Sequence, residues 1–259
     1  WKPSSPDTCC VSELLLIDIG NTRVKAALLD GDRMMLLPPA ATRGDDAFSA
    51  WAPHVERAPA RVVVSNVAGT EVAMHLVRFA RERWQVEPEF ALPTRSRAGM
   101  TTRYREPERL GVDRWLAALA AWREMRGPVC VIDVGTALTV DVVLADGTHL
   151  GGLIAPGPEL LRTSLTRGTA QLESDGISLV EGFADNTRDA ISLGCTDALG
   201  GLFLRVADRL ARFAPGVDFE WYLTGGAAPL VEALMPAPVR FVPELVLRGL
   251  AVLAATSAS

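Results

Sequence analysis

Two segments of the chain share one pattern of hydrophobic and polar positions. Each has a continuous apolar run ending in Asp-x-Gly, a short turn containing threonine, and a second apolar run closing on Asp-Gly. The segments are Leu14–Gly31 and Val129–Gly147. Continuous apolar runs are typical of strands covered on both faces, and the closing pairs Asp30-Gly31 and Asp146-Gly147 are hairpin signals. Each segment is therefore predicted to form two strands joined by a tight turn.

The two segments are spaced as an internal duplication. Asp18 and Asp133 occupy matching positions 115 residues apart, once a one-residue gap is allowed. This period is too long for a solenoid and indicates a duplicated domain. We expect a flexible lead-in at 1–12, an N-terminal domain at 13–117 and a C-terminal domain at 118–259. Because no linker separates the halves, we expect them to share a cleft near residues 115–130.

Helical patterns fill the intervals between the predicted strands. Apolar residues from Val112 to Trp122 recur on one helical face, and Gly127-Pro128 ends that helix. Three further helices are predicted: one after Thr187, one over Ala227–Leu234 and one over Glu244–Ala255. In the second copy a third strand is predicted to end at Gly151-Gly152, before a turn at Ala155–Gly157. Strands that alternate with helices predict an α/β fold.

Composition and charge exclude several classes of protein. The 259 residues are 49% hydrophobic and 22% charged, with a net charge of -5, which argues against a disordered chain and against a dedicated nucleic-acid binder. No stretch approaches the roughly 18 to 20 apolar residues of a membrane helix. The cysteines, at 9, 10, 130 and 195, form no C-x-x-C pair and lie at no zinc spacing from histidine. We therefore expect a cytoplasmic protein with no membrane or direct nucleic-acid partner.

The first Asp-x-Gly turn has the chemistry of a phosphate-binding loop. Backbone N–H groups of a glycine-rich turn can converge on an anion, and the turn Gly20–Thr22 adds side-chain donors. Asp18 could hold Mg²⁺ through water, and Lys25, one of only two lysines in the chain, could add a positive charge. The alternative is an ordinary hairpin turn with a capping aspartate.

A second cluster is rich in arginine and precedes the helix at Val112. Six arginines lie between Arg95 and Arg114, which indicates either a pocket for an anionic substrate or a solvated basic loop. Asp113 and Arg114 lie in the first turn of that helix, off its apolar stripe, so they can face a cleft. Asp113 beside an arginine at a helix N-terminus is expected to be stabilised as the anion, and hence to be a weak base. His54, His75 and His149 join no Ser or Cys constellation, so we expect surface or structural roles for them.

Seven motifs occur in order along the chain: DIGNTRVK (18–25), LGVDR (110–114), DVGTALTVD (133–141), GGLIAPG (151–157), Asn186-Thr187, TGG (224–226) and PELVLRGL (243–250). With these motifs, the sequence resembles the type III pantothenate kinases, also called the Bvg accessory factor family, from about Leu14 to Leu253. That family belongs to the acetate and sugar kinase/Hsp70/actin superfamily, so the resemblance implies duplicated actin-like, ribonuclease H-like domains.

The resemblance also implies an activity and a set of site residues. The activity is transfer of the ATP γ-phosphate to the 4′-hydroxyl of pantothenate, the first step of coenzyme A synthesis, by a homodimer that uses Mg²⁺ and a monovalent cation, K⁺ or NH₄⁺. Asp113 is implied as the general base and Asp133 as the cation ligand. The implied pantothenate-binding residues are Tyr104, Gly111, Val112, Asp113, Arg114 and Thr187. The implied ATP-binding residues are Asp18, Ile19, Gly20, Asn21, Thr22, Arg23, Val24, Lys25, Thr136, Thr224, Gly225 and Gly226.

The chain departs from the family pattern at two positions, and two other functions are compatible with the sequence. Glu173 stands where the family often has proline, and Ala227 follows TGG where it often has aspartate. One alternative function is a non-catalytic or dual-role accessory protein that affects transcription indirectly. The other is a kinase of the same superfamily that acts on a different small alcohol.

Overall fold

The computed structural model describes residues 13–42, 48–51, 53–166 and 182–256. The chain divides into two compact units. One comprises the chain up to Leu92 together with the C-terminal segment from Leu253, and the other comprises Pro93–Val252.

The first unit is built on a mixed sheet with one long helix. Its elements are β1 (Leu14–Ile19), β2 (Arg23–Asp30), β3 (Arg33–Leu36), β4 (Ala40–Ala41), a 3₁₀ turn (Ser49–Trp51), β5 (Arg61–Asn66), α1 (Thr70–Trp84) and β6 (Glu89–Phe90). The sheet order is β3-β2-β1-β5-β6, with β4 pairing with β2. β1 runs antiparallel to β2 and parallel to β5. Leu15, Leu16 and Ile17 are fully buried, as expected of a central strand with both faces covered.

The second unit is larger. Its elements are β7 (Ser96–Arg97), β8 (Met100–Thr102), a 3₁₀ turn (Pro107–Arg109), α2 (Val112–Met125), β9 (Val129–Val134), β10 (Ala137–Val143), β11 (Thr148–Pro156), α3 (Pro158–Thr166), α4 (Thr187–Phe213), β12 (Glu220–Thr224), α5 (Ala228–Val231), a 3₁₀ turn (Glu232–Leu234), β13 (Val239–Phe241) and α6 (Leu245–Thr256). The sheet order is β13-β12-β9-β10-β11-β8-β7. The helices predicted after the sequence repeat are thus confirmed.

The two sheets repeat one topology. β9 runs antiparallel to β10 and parallel to β12, just as β1 runs antiparallel to β2 and parallel to β5. In each unit a third strand extends the hairpin, and a further parallel strand follows the one that pairs with the central strand. The predicted duplicated α/β fold of actin-like domains is therefore confirmed.

Residues 93–117 belong to the second unit, whereas the repeat had assigned them to an N-terminal domain ending at 117. The reason is strand pairing and helix packing. β8 pairs in parallel with β11, and α2 packs on β9 and β10. The sequence repeat marks only the β1 and β9 hairpins, so it carries no information about the segment that precedes the second one.

The third strand of the second copy is longer than predicted. β11 continues through Gly151 and Gly152 to Pro156, so these glycines lie inside the strand. The register of β10 against β11 shifts between Val142 and Val143, and Gly151 has φ of 101°. A Cβ on Gly152 would lie 1.8 Å from the Val140 carbonyl oxygen. Here the glycines mark a close approach inside a strand and not its end.

α4 corrects a second expectation. It is 27 residues long and contains an 18-residue window with a mean hydropathy of 1.3, so by length and composition it passes the test for a membrane span. One helix of this kind is weak evidence, because a helix packed into a protein core passes the same test. The buried residues of α4 include Leu199, Phe203, Val206 and Leu210, which join the core formed with β9, β10 and β12.

Two helical glycines offer a matched test of packing in the second unit. A Cβ on Gly249 in α6 would lie 2.3 Å from the carbonyl oxygen of Leu116 in α2, whereas a Cβ on Gly200 in α4 meets no atom within 4 Å. Gly249→Ala should lower the free energy of unfolding by about 2–4 kcal/mol through overpacking. Gly200→Ala should raise it by about 0.5–1 kcal/mol through helix propensity. Urea denaturation of both variants measures this, and equal effects at the two positions would contradict the packing described.

Candidate functional site

The first Asp-x-Gly turn is a tight turn held from both sides. The Gly20 N–H donates to the Arg23 carbonyl over 3.0 Å. The Thr42 hydroxyl donates to the Gly20 carbonyl over 2.6 Å, and the Thr42 N–H donates to the Thr22 carbonyl over 3.1 Å. Thr42 is buried. Sequence reasoning did not identify Thr42, because it lies 22 residues after Gly20 and reaches the turn only through the pairing of β4 with β2.

Asp18 stands in a row of polar residues that crosses the first sheet. In the strand register it is opposite Lys25 on β2 and opposite Ser65 on β5. Residues opposite one another in a sheet project from the same face. The structure therefore brings Asp18, Lys25 and Ser65 to one face near the carboxyl end of β1. Ile19 and Val24, also predicted to bind ATP, are fully buried in the core.

The second Asp-x-Gly turn is packed against two other motifs. The Gly135 N–H donates to the Ala137 carbonyl, and the Gly157 N–H donates to the Thr136 carbonyl over 3.0 Å. Asp133 lies opposite Thr224 in the parallel pair of β9 and β12. A Cβ on Gly225, which has φ of 97°, would lie 2.4 Å from an Asp133 carboxylate oxygen, so only glycine fits there. The structure thus brings Asp133 and the Thr224–Gly226 turn together.

Within the part of the chain that the structure describes, no group of three or more His, Cys, Asp or Glu side chains could hold a metal ion around either aspartate. Mg²⁺ in phosphoryl-transfer sites is usually held by one or two carboxylates, with phosphate oxygens and waters completing its shell. A single carboxylate at Asp18 fits that pattern. Asp133, flanked in register by Thr139 and Thr224, offers one carboxylate among hydroxyl-bearing residues.

The start of α2 places Asp113 and Arg114 in different surroundings. Gly111 is the N-cap and Val112 is buried. Asp113 is half-buried, and one of its carboxylate oxygens accepts a 2.8 Å hydrogen bond from the Arg114 N–H. A Cβ on Gly111 would lie 2.7 Å from that oxygen. Arg114, expected to be able to face a cleft, is buried, with 7% of the residue exposed.

The expectation that Asp113 is stabilised as the anion has the wrong direction. Burial raises the pKa of Asp113 above its ordinary value, and this effect exceeds the lowering by the Arg114 N–H and charge. The cause is the direction of the Arg114 side chain. Its guanidinium binds Asp141 through Nε and Nη2, each over 2.8 Å. Asp113 therefore lacks the close ion pair that sequence adjacency suggested and is a stronger base than an exposed aspartate.

Asp141 is the centre of a buried polar network. Besides the two bonds from Arg114, its Oδ1 lies 2.9 Å from His149 Nε2. Asp141 is 2% exposed and His149 is fully buried. Burial alone would raise the pKa of Asp141, but hydrogen bonds from His149 and Arg114 hold it below its ordinary value. The carboxylate is therefore ionised in the folded protein.

Tyr104 closes this network on the side of the arginine-rich loop. Its hydroxyl accepts from Arg114 Nη1 over 3.1 Å, and its ring stacks on His149 with 6.0 Å between centroids. Its N–H donates to the Thr102 hydroxyl over 3.2 Å. Thr102 Oγ1 lies 2.9 Å from His149 Nδ1. The structure therefore joins Tyr104 and Arg114, both predicted to bind substrate, to the unpredicted residues Thr102, Asp141 and His149.

At least three of the six arginines of the loop are bound by protein groups. Arg95 donates to the carbonyls of Thr102, Tyr104 and Arg105. Arg114 binds Asp141, and Arg109 forms an ion pair with Glu106. Part of the charge of this cluster therefore fixes the backbone around Tyr104.

The remaining predicted residues lie outside this network. Thr187 is the first residue of α4 and is exposed, next to the N-cap Asn186, whose side chain accepts from the Asp189 N–H. Ala227 donates its backbone N–H to the Val134 carbonyl over 2.9 Å, a bond that does not depend on the side chain. Cys9, Cys10 and Glu173 lie outside the described residues.

Removing the charge at the centre of the network should destabilise the fold. Asp141→Asn leaves the buried Arg114 guanidinium without its counter-ion, and should lower the free energy of unfolding by about 3–5 kcal/mol. Because the folded-state pKa of Asp141 is lowered, its contribution is present above the ordinary aspartate value and lost as pH falls through the folded value. The wild type should therefore lose this stability on acidification, and the variant should lack that loss.

Guanidinium denaturation across a pH series measures both effects. Asp146→Asn is the matched control, since Asp146 is an exposed residue of the β10–β11 turn, and this variant should unfold close to the wild-type midpoint. Equal denaturation midpoints for the two variants would show that Asp141 does not organise a buried network.

Comparison with known proteins identifies the family. A family model described as type III pantothenate kinase matches residues 14–209. Proteins named type III pantothenate kinase from Nitrosomonas eutropha and Aromatoleum aromaticum are 37% and 38% identical to the chain, over 94% and 95% of it and over 95% and 99% of their own lengths.

Solved structures agree on the fold. A conserved putative Baf family transcriptional activator from Campylobacter jejuni has a TM-score of 0.57 at 22% identity, covering 95% of this chain and 100% of that one. The activator of the 2-hydroxyisocaproyl-CoA dehydratase from Clostridium difficile with bound ADPNP has a TM-score of 0.51 at 13% identity, covering 95% of each chain. At these identities the likeness shows the fold alone. By the family model and the relatives, the chain belongs to the type III pantothenate kinase family.

Proposed function

We propose that the chain transfers the γ-phosphate of ATP to the 4′-hydroxyl of pantothenate with Asp113 as the general base. That the reaction is the ATP-dependent phosphorylation of pantothenate, the first step of coenzyme A synthesis, follows from membership of the family. The observation that supports Asp113 as the base is its burial, which raises its pKa while leaving the carboxylate at the first turn of α2.

Asp113 then accepts the proton of the 4′-hydroxyl as phosphoryl transfer proceeds. The hydroxyl oxygen attacks the γ-phosphorus, the bond from that phosphorus to the bridging oxygen of ADP breaks, and the hydroxyl proton passes to the carboxylate. Because such a transition state is loose, positioning and electrostatics dominate the rate. A moderately basic carboxylate that holds the hydroxyl in line is sufficient for this task.

Each Asp-x-Gly turn is a candidate ATP-binding loop of its own unit. In the first unit we assign the phosphates to the Gly20–Arg23 turn, because Lys25 lies on the same sheet face as Asp18 and brings positive charge there. Asp18 would hold Mg²⁺ through water; when bound, the ion neutralises phosphate charge. In the second unit, Thr136 and Thr224–Gly226 are the residues proposed to bind ATP.

We assign the monovalent cation, K⁺ or NH₄⁺, to Asp133. The support is its setting: its neighbours in register are Thr139 and Thr224, whereas the equivalent neighbour of Asp18 is Lys25. A site with a carboxylate and hydroxyl-bearing residues can accept a weakly hydrated cation without a competing ammonium group.

The pantothenate-binding residues are proposed to be Tyr104, Gly111, Val112, Asp113, Arg114 and Thr187. Tyr104 and Arg114 form one hydrogen-bonded unit beside Asp113, which supports a common subsite at the start of α2. Arg114 is occupied by Asp141 on two of its nitrogens, so its main contribution is to orient Tyr104 and the helix start.

The protein is further proposed to act as a cytoplasmic homodimer without a membrane or direct nucleic-acid partner. Exposed Gly194, Ala198 and Gly201 follow one face of α4, and a Cβ on either glycine meets no atom within 4 Å, so a second helix could approach closely. Cys130 and Cys195 are free thiols, which is the usual state in a reducing compartment.

Removing the proposed base tests the mechanism. Asp113→Asn should reduce kcat by about 10²- to 10⁴-fold and leave pantothenate affinity largely intact, because the amide cannot take the proton but keeps the shape of the side chain. The wild-type kcat/KM should fall on acidification with an apparent pKa above the ordinary 3.8 of aspartate, since protonation disables the base. A coupled ADP-release assay with ATP, Mg²⁺, K⁺ and pantothenate measures both quantities.

Glu108→Gln, at an exposed position of the preceding loop, is the control and should keep full activity. Near-normal kcat in Asp113→Asn would show that Asp113 is not the base. A wild-type protein that turns over another small alcohol but not pantothenate would contradict the proposed substrate.

A bulky residue on the proposed dimer face tests oligomerisation. Gly201→Arg should convert the dimer to a monomer by blocking close approach, while raising helix propensity. Light scattering at micromolar concentration measures the mass. Ala211→Arg, at an exposed position in the last turns of α4, should stay dimeric. A monomeric wild type, or a dimeric Gly201→Arg, would contradict the assignment of this face.

A further inference from the structure

The buried network around Asp141 forms a closed ring that begins and ends on Tyr104. The Tyr104 N–H donates to the Thr102 hydroxyl, and Thr102 bonds to His149 Nδ1. His149 Nε2 bonds to Asp141, Arg114 binds the same carboxylate, and Arg114 Nη1 donates to the Tyr104 hydroxyl. Tyr104 is therefore fixed at its backbone and at its hydroxyl by one continuous set of hydrogen bonds.

Chemistry assigns the direction of each bond in the ring. An ionised Asp141 accepts only, so His149 Nε2 carries the proton and donates to it. An imidazole that carries its single proton on Nε2 has Nδ1 as an acceptor, so that the Thr102 hydroxyl donates to Nδ1 while its oxygen accepts from the Tyr104 N–H. A single tautomer of His149 thus satisfies every member of the ring.

The ring also determines what the Tyr104 hydroxyl can offer to a ligand. Its oxygen accepts from Arg114 Nη1. Its own O–H is therefore directed away from Arg114 and can donate to an acceptor outside the ring. The aromatic ring of Tyr104 stacks on the imidazole of His149, with 15° between the two planes, and this contact fixes its orientation. Tyr104 is thus a hydrogen-bond donor whose position is fixed by Thr102, Arg114 and His149.

We propose that His149, acting with Thr102, is a positioning residue for pantothenate binding: it orients Asp141 and Arg114 and thereby aims the Tyr104 O–H at the substrate. This inference rests on the proposed function, because it concerns the same pantothenate subsite. His149 is fully buried and does not touch substrate, so it acts only through Asp141, Thr102 and the Tyr104 ring.

Substitutions at 149 separate hydrogen bonding from stacking. His149→Phe keeps a ring beneath Tyr104 but removes both hydrogen bonds. It should raise the KM and Kd for pantothenate about 10- to 100-fold, the factor expected for losing a bond to a charged group. The KM for ATP should stay within about twofold of wild type. His149→Gln places an amide N–H near the position of Nε2 and should recover most of the affinity.

If His149→Phe does not fold, substitutions of Thr102 test the same hydrogen-bonded ring at a second residue. Thr102→Val removes the hydroxyl with little change of shape and should raise the pantothenate KM without raising that for ATP, whereas Thr102→Ser should restore it. The double variant should be no weaker than the worse single variant, because both break the same ring. Thr196→Val removes another buried hydroxyl of this unit, outside the ring, and should leave both KM values unchanged.

Steady-state kinetics and calorimetric titration with pantothenate decide the matter. The expected result is a selective loss of pantothenate affinity in His149→Phe and Thr102→Val, with rescue by Gln and Ser. If the wild type turns over pantothenate but these variants keep its KM, or lose ATP and pantothenate affinity equally, the positioning role is wrong. If the wild type neither binds nor phosphorylates pantothenate, the proposed function itself fails.

Discussion

The pairing of Arg114 with Asp141 is the constraint on which the rest of the second unit depends. Both groups are charged and both are buried. Removing two charges from water is expensive, and only good geometry with further hydrogen bonds offsets that cost. The bidentate contact supplies the geometry, and His149 supplies the further bond. The requirement that this pair be satisfied dictates the surroundings of both residues.

Several separate features of the sequence follow from that requirement. Gly152 lies against both the strand and the ion pair: a Cβ there would lie 1.8 Å from the Val140 carbonyl oxygen, 2.7 Å from Arg114 Nη2 and 2.8 Å from Asp141 Oδ1. Because the guanidinium turns toward Asp141, Asp113 is left to be governed by burial. One buried ion pair thus links a strand glycine, a helix start and the basicity of the proposed catalytic group.

The duplicated pairs of strands were predictable from the sequence, because residues close together in the chain determine them. Continuous apolar runs and Asp-Gly turns are short-range signals, and they placed β1, β2, β9 and β10 correctly. The apolar positions from Val112 and after Thr187 likewise placed α2 and α4. The extent of each unit was not predictable, because it depends on the pairing of β8 with β11, which are distant in sequence.

The candidate site was predictable only in part, for the same reason. The motifs located Asp113, Arg114 and Tyr104, but not what each side chain meets. Adjacency of Asp113 and Arg114 suggested an ion pair, whereas the partner of Arg114 is Asp141, 27 residues later. His149 looked isolated because its partners, Thr102 and Asp141, lie on other strands. Asp141 and His149 share the β10–β11 hairpin, but Arg114 lies on α2 and Thr102 on β8, so the spacing of residues along the chain does not reveal the whole network.

The most direct test of the whole account is a crystal structure of the protein with pantothenate bound. We expect the 4′-hydroxyl to lie within hydrogen-bond distance of the Asp113 carboxylate. A pantothenate oxygen should accept a hydrogen bond from the Tyr104 O–H, and Arg114 should remain bound to Asp141. Pantothenate density elsewhere, or an Arg114 that has left Asp141 to bind the substrate carboxylate, would contradict it.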